Sequence, residues 1–175
     1  MLDAALLVDT NGKPLLNGKV TSSRDWNVVN AFCEDTYTRL SAKPLIRGSD
    51  PDATIRMLRI GRIKFSRFCF GTPTRAEDFD PAAGNIIVVN TLRGGLRHPL
   101  DGNAVADTRS GDSYVVDCSR IDYWNIADGH DLQLNLTIPH ALIEAVAARW
   151  YGFVPDDSLW RRRLVFGRRQ SAWLS

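Results

Sequence analysis

Histidine is scarce in this sequence of 175 residues, which limits the metal sites that the chain can form. The three histidines, His98, His130 and His140, stand singly along the chain. A metal site in a small β-barrel typically needs a His-x-His pair, a carboxylate and a further histidine that converge on one ion. The spacing therefore predicts turn or surface histidines, and we expect neither a metal nor another cofactor.

Cysteine is equally scarce, and long apolar runs are missing. Cys33, Cys69 and Cys118 are widely spaced and form no Cys-x-x-Cys, so neither a zinc knuckle nor a disulfide framework is indicated. No apolar run reaches the length of a membrane span, and "MLDAALLVDTNGK" at the N-terminus has no basic leader. We therefore expect a cytoplasmic protein with reduced thiols and no membrane contact.

Catalytic fingerprints and a strong excess of one charge are missing as well. No Walker or dinucleotide-binding motif occurs, and Ser113 and Ser119 lack a G-x-S-x-G context. Because no nucleophile–base pair is evident either, we predict that the chain is not an enzyme. The formal net charge of +2 is too small to indicate nucleic-acid binding by bulk electrostatics.

The sequence does contain a helical pattern from about Ser22 to Leu40. Ser22 or Ser23 can cap its first turn, and Asp25 favours a helix N-terminus. Apolar positions then recur at helical spacing, at Trp26, Val29, Phe32, Cys33 and Tyr37. An aromatic stripe of this kind is more typical of core packing than of a cofactor site.

A long region of β-strand signals follows, from Ile55 to Ile138. "NIIVVNTL" is nearly continuous in apolar residues, as a strand buried on both faces should be. In "DLQLNLTIP" the leucines alternate with Gln133, Asn135 and Thr137, and we expect the leucines to face the core. Gly94-Gly95, Asp101-Gly102 and Gly111-Asp112 supply turns, and we interpret Gly94-Gly95 and the corner at Gly111-Asp112 as hairpins. Short strands at this spacing predict a sandwich or barrel with flanking helices, a mostly β member of the α+β class.

Four segments in this order resemble the N-terminal effector-binding and dimerisation domain of AraC/XylS-type transcription regulators. They are "LRIGRIKFSRFCFG", "IIVVNTLRGGL", "TRSGDSYVVDCSRIDY" and "LQLNLTIPHALIEA". The resemblance implies an N-terminal arm at 1–21, a helix and a cupin-like jelly-roll barrel at 22–138, and a C-terminal helical dimerisation region at 139–175. It also implies a small-molecule effector, a homodimer, and contact with DNA only through a helix-turn-helix domain that this chain does not contain.

The C-terminal region contains one clear helix and an arginine-rich tail. Pro139 suits a first helical turn and Gly152 is placed to end the helix. Its apolar stripe comprises Leu142, Ile143, Val146 and Trp150. These four residues are candidates for a dimer interface, and packing on the protein's own barrel is an equal alternative. We interpret the tail, with Trp160 among its arginines, as a second amphipathic helix.

Four residues are candidates for an effector site inside the barrel. Arg67 and Asn90 are polar interruptions of apolar strand faces, and a buried guanidinium would match a carboxylate. Tyr114 and Trp124 are aromatic residues that could enclose a ring. Together they suggest a small carboxylate effector, unless the face assignment is off by one residue. Two alternatives remain open: a cupin-like enzyme with an atypical metal site, and a dimerisation module whose barrel is filled and binds nothing.

Overall fold

The computed structural model describes residues 21–100, 103–119, 122–154, 156 and 164–166. Within this part of the chain there are two helices, α1 (Trp26–Thr36) and α2 (His140–Tyr151). The strands are β1 (Thr21–Ser23), β2 (Ser41–Pro44), β3 (Ala53–Ile60), β4 (Ile63–Cys69), β5 (Pro73–Glu77), β6 (Asn85–Arg93), β7 (Gly95–Pro99), β8 (Val105–Arg109), β9 (Ser113–Asp117), β10 (Asn125–Asp128), β11 (Leu132–Pro139) and β12 (Leu164–Phe166).

The strands form two antiparallel sheets. The larger sheet has the order β1-β3-β4-β11-β6-β9-β12, and the smaller has the order β2-β5-β10-β7-β8. Neighbours in each sheet are mostly distant in sequence, as in the Greek-key connections of a jelly roll. The predicted mostly β, jelly-roll fold with flanking helices is confirmed.

The core lies between the two sheets. The larger sheet contributes the buried residues Ile55, Phe68, Ile87, Val89, Tyr114 and Val116, and the smaller sheet contributes Ala42, Ala76, Leu96 and Ala127. Small residues on one sheet face large ones on the other, so the two layers can approach closely. We call the side of the larger sheet that faces this core its inner face, and the opposite side its outer face.

Helix α1 packs on this core with the face that the sequence predicts, since Val29 and Cys33 are almost fully buried. Its N-cap is Asp25, whose Oδ1 accepts a hydrogen bond of 2.8 Å from the backbone N–H of Asn27. The helix is therefore shorter than the predicted segment, because Ser22 and Ser23 belong to β1 instead.

Gly94 links two strands that lie in different sheets, so the hairpin predicted at Gly94-Gly95 is wrong. Strand β6 belongs to the larger sheet, whereas β7 pairs with β8 and β10 in the smaller one. Gly94 has φ +69°, and a Cβ there would lie 2.7 Å from the backbone of His130 and Asp131. Only glycine fits this crossing, where the chain passes close to the start of β11. The hairpin predicted at Gly111-Asp112 is wrong for the same reason, because β8 lies in the smaller sheet and β9 in the larger one. Asp101-Gly102 lies outside the described residues.

The C-terminal helix is confirmed, and the predicted tail helix is not formed at the three residues that the structure describes there. Helix α2 ends at Gly152, whose left-handed φ of 76° suits a glycine C-cap. Leu164–Phe166 form strand β12, which pairs antiparallel with β9. A sheet edge with unpaired N–H and C=O groups explains why this segment is extended. Residues 1–20, Trp160 and most of the arginines lie outside the described part.

Among the described residues, no helix is both long enough and apolar enough to cross a bilayer.

Candidate functional site

Strand β11 faces the core with its polar residues, the reverse of the sequence prediction. Gln133, Asn135 and Thr137 are at most 7% exposed, and they share a face with the core residues of β6. Leu134 is also buried, but it lies on the outer face. The alternation correctly groups residues by face. It does not identify the inner face, because both faces of this sheet are largely covered and apolar residues occur on each.

The inversion places polar groups in a small interior cavity between the sheets. Most of its wall is apolar or aromatic and includes Phe68, Phe70, Phe79, Ile87, Val89 and Val116. The polar lining comes from Tyr37, Tyr114, Tyr123, Asn125, Gln133 and Asn135. The cavity volume of about 30 Å³ leaves room for roughly two water molecules.

A chain of hydrogen bonds runs along one wall of this cavity. Gln133 Nε2 donates to Asp131 Oδ2 at 2.8 Å, and Asn135 Nδ2 donates to Gln133 Oε1 at 3.1 Å. Asn135 Nδ2 also donates to Tyr37 Oη at 3.0 Å, and Tyr37 Oη lies 2.7 Å from Ser66 Oγ. In the contact between Tyr37 and Ser66, either hydroxyl group can be the donor. We call these five residues the polar relay.

Asp131 stands at one end of the polar relay and is fully buried. The pKa of its carboxyl group is raised to about 6, mainly because burial disfavours the charged form. The nearby Asp128 carboxylate also raises this pKa, whereas hydrogen bonds from Gln133 and from the Phe70 backbone lower it. The carboxyl group therefore changes its charge close to neutral pH, although it lies inside the protein.

Two buried oxygen atoms beside the cavity find no hydrogen-bond partner among the described residues. They are Asn135 Oδ1 and Asn125 Oδ1, and both residues line the cavity. A buried acceptor without a partner costs about 1–3 kcal/mol. Such atoms are therefore strong candidates for contact with a bound molecule or with ordered water.

A pair of tyrosines forms the opposite polar part of the wall. Tyr114 Oη and Tyr123 Oη lie 2.9 Å apart, and the Tyr114 ring stacks on His98 with centroids 3.8 Å apart. Burial is the main reason why the pKa of Tyr114 is raised well above its usual value. Tyr114 is therefore neutral and supplies a hydroxyl group, not charge.

Of the four predicted ligand-binding residues, the structure brings only Tyr114 to the cavity. Arg67 is half-buried and lies on the outer face, in register with Leu134 and Arg56. Asn90 is fully buried on that same face, where its Nδ2 donates to the Leu134 carbonyl oxygen. The predicted grouping of these residues with their strand neighbours holds, but the face they occupy is not the inner one.

Trp124 precedes β10 and is not among the residues that line the cavity. It is half-buried, and the Arg75 guanidinium lies over its ring, 5.0 Å from the centroid. Its neighbours in sequence, Tyr123 and Asn125, line the cavity instead. Trp124 therefore lies between two residues that line the cavity, because successive side chains of an extended segment alternate in direction.

Sequence reasoning missed Tyr37, Asn125 and the polar residues of β11. One signal was present: Asp131, Gln133, Asn135 and Thr137 repeat at every second position beside a continuous run of apolar partners. Four polar residues on one face indicate either solvent or a polar interior. Only the packing of the second sheet distinguishes the two.

The predicted dimer-interface residues divide into two kinds. Leu142 and Ile143 are half-buried, whereas Val146 and Trp150 are 39% and 71% exposed. Ala147 is buried. One side of α2 therefore packs on the protein itself, and the other side remains apolar and accessible.

Potential metal ligands do not cluster in the described part of the chain. No group of three or more histidine, cysteine, aspartate or glutamate residues there could hold a metal ion. His98, predicted to be a surface or turn residue, is in fact 1% exposed and stacks on Tyr114.

Comparison with known proteins gives a likeness in fold alone. No protein-family model matches the sequence, and no curated protein matches it. A solved structure of the AraC-like transcriptional activator CuxR is similar, with a TM-score of 0.55 and 14% identity over 75% of this chain. The chain spans about half the length of that activator, 51%. These values support a cupin-like β domain of the kind found in such a protein.

Further similar structures include cupin proteins and an enzyme. One is an RmlC-like cupin protein from Desulfovibrio desulfuricans, at 17% identity and a TM-score of 0.39, over 50% of this chain and 81% of that one. Another is an ectoine synthase from P. lautus, at 11% identity and a TM-score of 0.41, over 50% of this chain and 64% of that one. The prediction that the chain is not an enzyme is corrected by this match, since similar folds include that of a synthase.

Proposed function

We propose that this chain is the ligand-sensing and dimerisation domain of a transcription regulator similar to the AraC/XylS type. Its effect on DNA would pass through a helix-turn-helix domain outside this chain. The observation that carries the proposal is the interior cavity, where Asn135 and Asn125 present oxygen atoms without partners. Apolar walls with a few convergent polar groups are typical of small-molecule sites. The fold shared with an AraC-like activator is compatible with this role.

The position of Arg67 changes the expected effector. Arg67 lies on the outer face, and none of the described residues that line the cavity is positively charged. A carboxylate placed there would lose its hydration without gaining a cation. The proposed effector is therefore a small molecule that the cavity can hold without an arginine partner.

Dimerisation is proposed to use the exposed side of α2. Val146 and Trp150 are accessible, and Phe153 and Val154 directly after the helix are 59% and 57% exposed. Apolar residues gathered in this way favour contact with a second copy of the chain.

The small volume of the cavity favours one alternative, a dimerisation module whose barrel is filled. Native mass spectrometry of protein purified from cells tests both ideas. The proposal predicts a dimer that retains a small molecule, and a ligand-free dimer would support the filled barrel. A stoichiometric transition metal whose binding is lost on His98→Ala would favour a cupin-like enzyme instead.

Two variants show whether a retained molecule occupies the cavity. Ala76 lines the cavity and is 2% exposed, so Ala76→Leu should fill the space and abolish retention. Val89→Leu adds only one methylene and serves if Ala76→Leu does not fold. Arg67→Ala changes the outer face and is the matched control, which should retain the molecule. Equal retention by all three variants would contradict a site in the cavity.

A further inference from the structure

The polar relay determines which hydrogen-bonding groups the cavity offers. An ionised carboxylate can only accept hydrogen bonds, so Asp131 requires the Nε2 end of Gln133, at 2.8 Å. Gln133 must then present Oε1 to Asn135, and this oxygen accepts a hydrogen bond of 3.1 Å from Asn135 Nδ2. These bonds fix the orientation of the Asn135 side-chain amide, so Oδ1 is the atom that finds no partner among the described residues.

The result is an acceptor without a partner in a largely apolar cavity. Asn135 is only 3% exposed, so water in the bulk does not satisfy its Oδ1 atom. Asn125 Oδ1, on β10 of the smaller sheet, provides a second acceptor without a partner among the described residues. The hydroxyl groups of Tyr114 and Tyr123 hydrogen-bond each other.

We infer that the cavity selects a small uncharged hydrogen-bond donor, and that the ionised carboxylate of Asp131 imposes this preference through Gln133 and Asn135. The inference rests on the proposed ligand-sensing function and names the ligand chemistry of that site. A molecule with an N–H or O–H group satisfies Asn135 Oδ1, whereas an anion of the same shape meets two acceptors without partners, finds no positively charged residue in the described lining, and loses its hydration. The volume of the cavity suits a molecule of about three non-hydrogen atoms, close to two waters in size.

Protonation of Asp131 removes the constraint that sets the preference. A protonated carboxyl group can donate to Gln133 Oε1, which allows the amide of Gln133 to turn and present Nε2 to Asn135. In that arrangement Asn135 accepts with Oδ1 and directs its NH₂ group towards the cavity. The cavity then offers a donor in place of an acceptor, without any change in shape.

The groups that face Asp131 are few and come from three directions. Gln133 donates to it from the same strand, and the Asp128 carboxylate acts on it from the turn before β11. The Cys69 thiol of β4 senses the charge of Asp131 and also contacts Arg93 of β6. The pKa of Asp131, about 6, places the reversal between about pH 5 and about pH 7.

Formamide and formate are matched probes for this inference, since each has three non-hydrogen atoms and only formamide carries N–H donors. The side-chain amide resonances of Asn135 are followed by NMR while each probe is added to the protein. At about pH 8 we expect formamide to shift these resonances and formate to leave them unchanged. At about pH 5 the Asn135 amide should present its NH₂ group, so formamide should accept through its carbonyl oxygen and shift these resonances differently.

Variants of Asp131 and Asp128 test whether the polar relay causes the pH dependence. Asp131→Asn should make the formamide-induced shift the same at both pH values, whereas Asp128→Asn, which alters the neighbouring carboxylate, should keep the difference. Formate binding as tightly as formamide at about pH 8, or a formamide-induced shift in the wild type that is the same at both pH values, would overturn the inference. If the protein also retains a cellular molecule, the proposed sensing function stands while the donor preference fails. If neither probe reaches Asn135 and no cellular molecule is retained, the proposed sensing function and the donor preference both fail.

Discussion

Replacing Asp131 by asparagine should make the protein more stable at neutral pH and less sensitive to pH. Folding raises the pKa of this carboxyl group from 3.8 to about 6, because burial disfavours its charged form. The folded state therefore binds a proton more tightly than the unfolded state does. The resulting penalty is absent below about pH 4 and complete above about pH 6, so it lowers stability as pH rises through this window.

The size of the penalty follows from the shift. Two pKa units correspond to about 3 kcal/mol of unfolding free energy. Asp131→Asn removes the charge and retains an oxygen that can accept from Gln133. We expect the variant to exceed the wild type by up to about 3 kcal/mol at about pH 8, and to match it at about pH 4.

Urea denaturation of both proteins across this pH range measures the difference directly. Other carboxyl groups also titrate, and the pKa values of Glu77 and Asp107 are lowered by hydrogen bonds from Arg75 and Arg97. Because both proteins contain these groups, their effects cancel in the difference. A stability difference that does not vary with pH would refute the argument that burial raises the pKa of Asp131.

Three further predictions concern the cavity wall and helix α2. Tyr114→Phe should lower the unfolding free energy by about 1–2 kcal/mol, since Tyr123 loses its hydrogen-bond partner at 2.9 Å; unchanged urea denaturation would contradict this. Val146→Arg should give a folded monomer in sedimentation, whereas a folded dimer would place the interface elsewhere. His140→Ala removes the contact of 3.2 Å with Asp117, so trypsin should cleave within α2 faster, and an unchanged cleavage rate would show that this contact does not hold the helix.

The sequence predicts the C-terminal end of α2 and the grouping of strand residues, but not the start of α1, because the predicted caps Ser22 and Ser23 belong to β1. Gly152 acts locally, through a left-handed φ, so neighbouring residues suffice to identify it. Strand alternation likewise grouped Gln133 with Asn135 correctly.

Strand alternation could not show which face of the larger sheet is the inner face. Both faces of the larger sheet are largely covered: Asn90 is fully buried on the outer face, and Asn135 is nearly so on the inner one. Which face forms the cavity depends on where the second sheet packs, and the contacts between sheets join residues far apart in sequence. Arg67 and Asn90 were therefore assigned to the wrong side, although their strands were recognised.

The pairing of β12 with β9 gives the cavity a mechanical connection to the end of the chain. Tyr114, a wall residue, stands opposite Val165 in the antiparallel register of these two strands. A molecule that pushes on the Tyr114 ring displaces the backbone of β9, and the hydrogen bonds to β12 transmit that displacement outward. The amide hydrogen-exchange rates of β12 should therefore report whether the cavity is occupied, at a distance from the bound molecule itself.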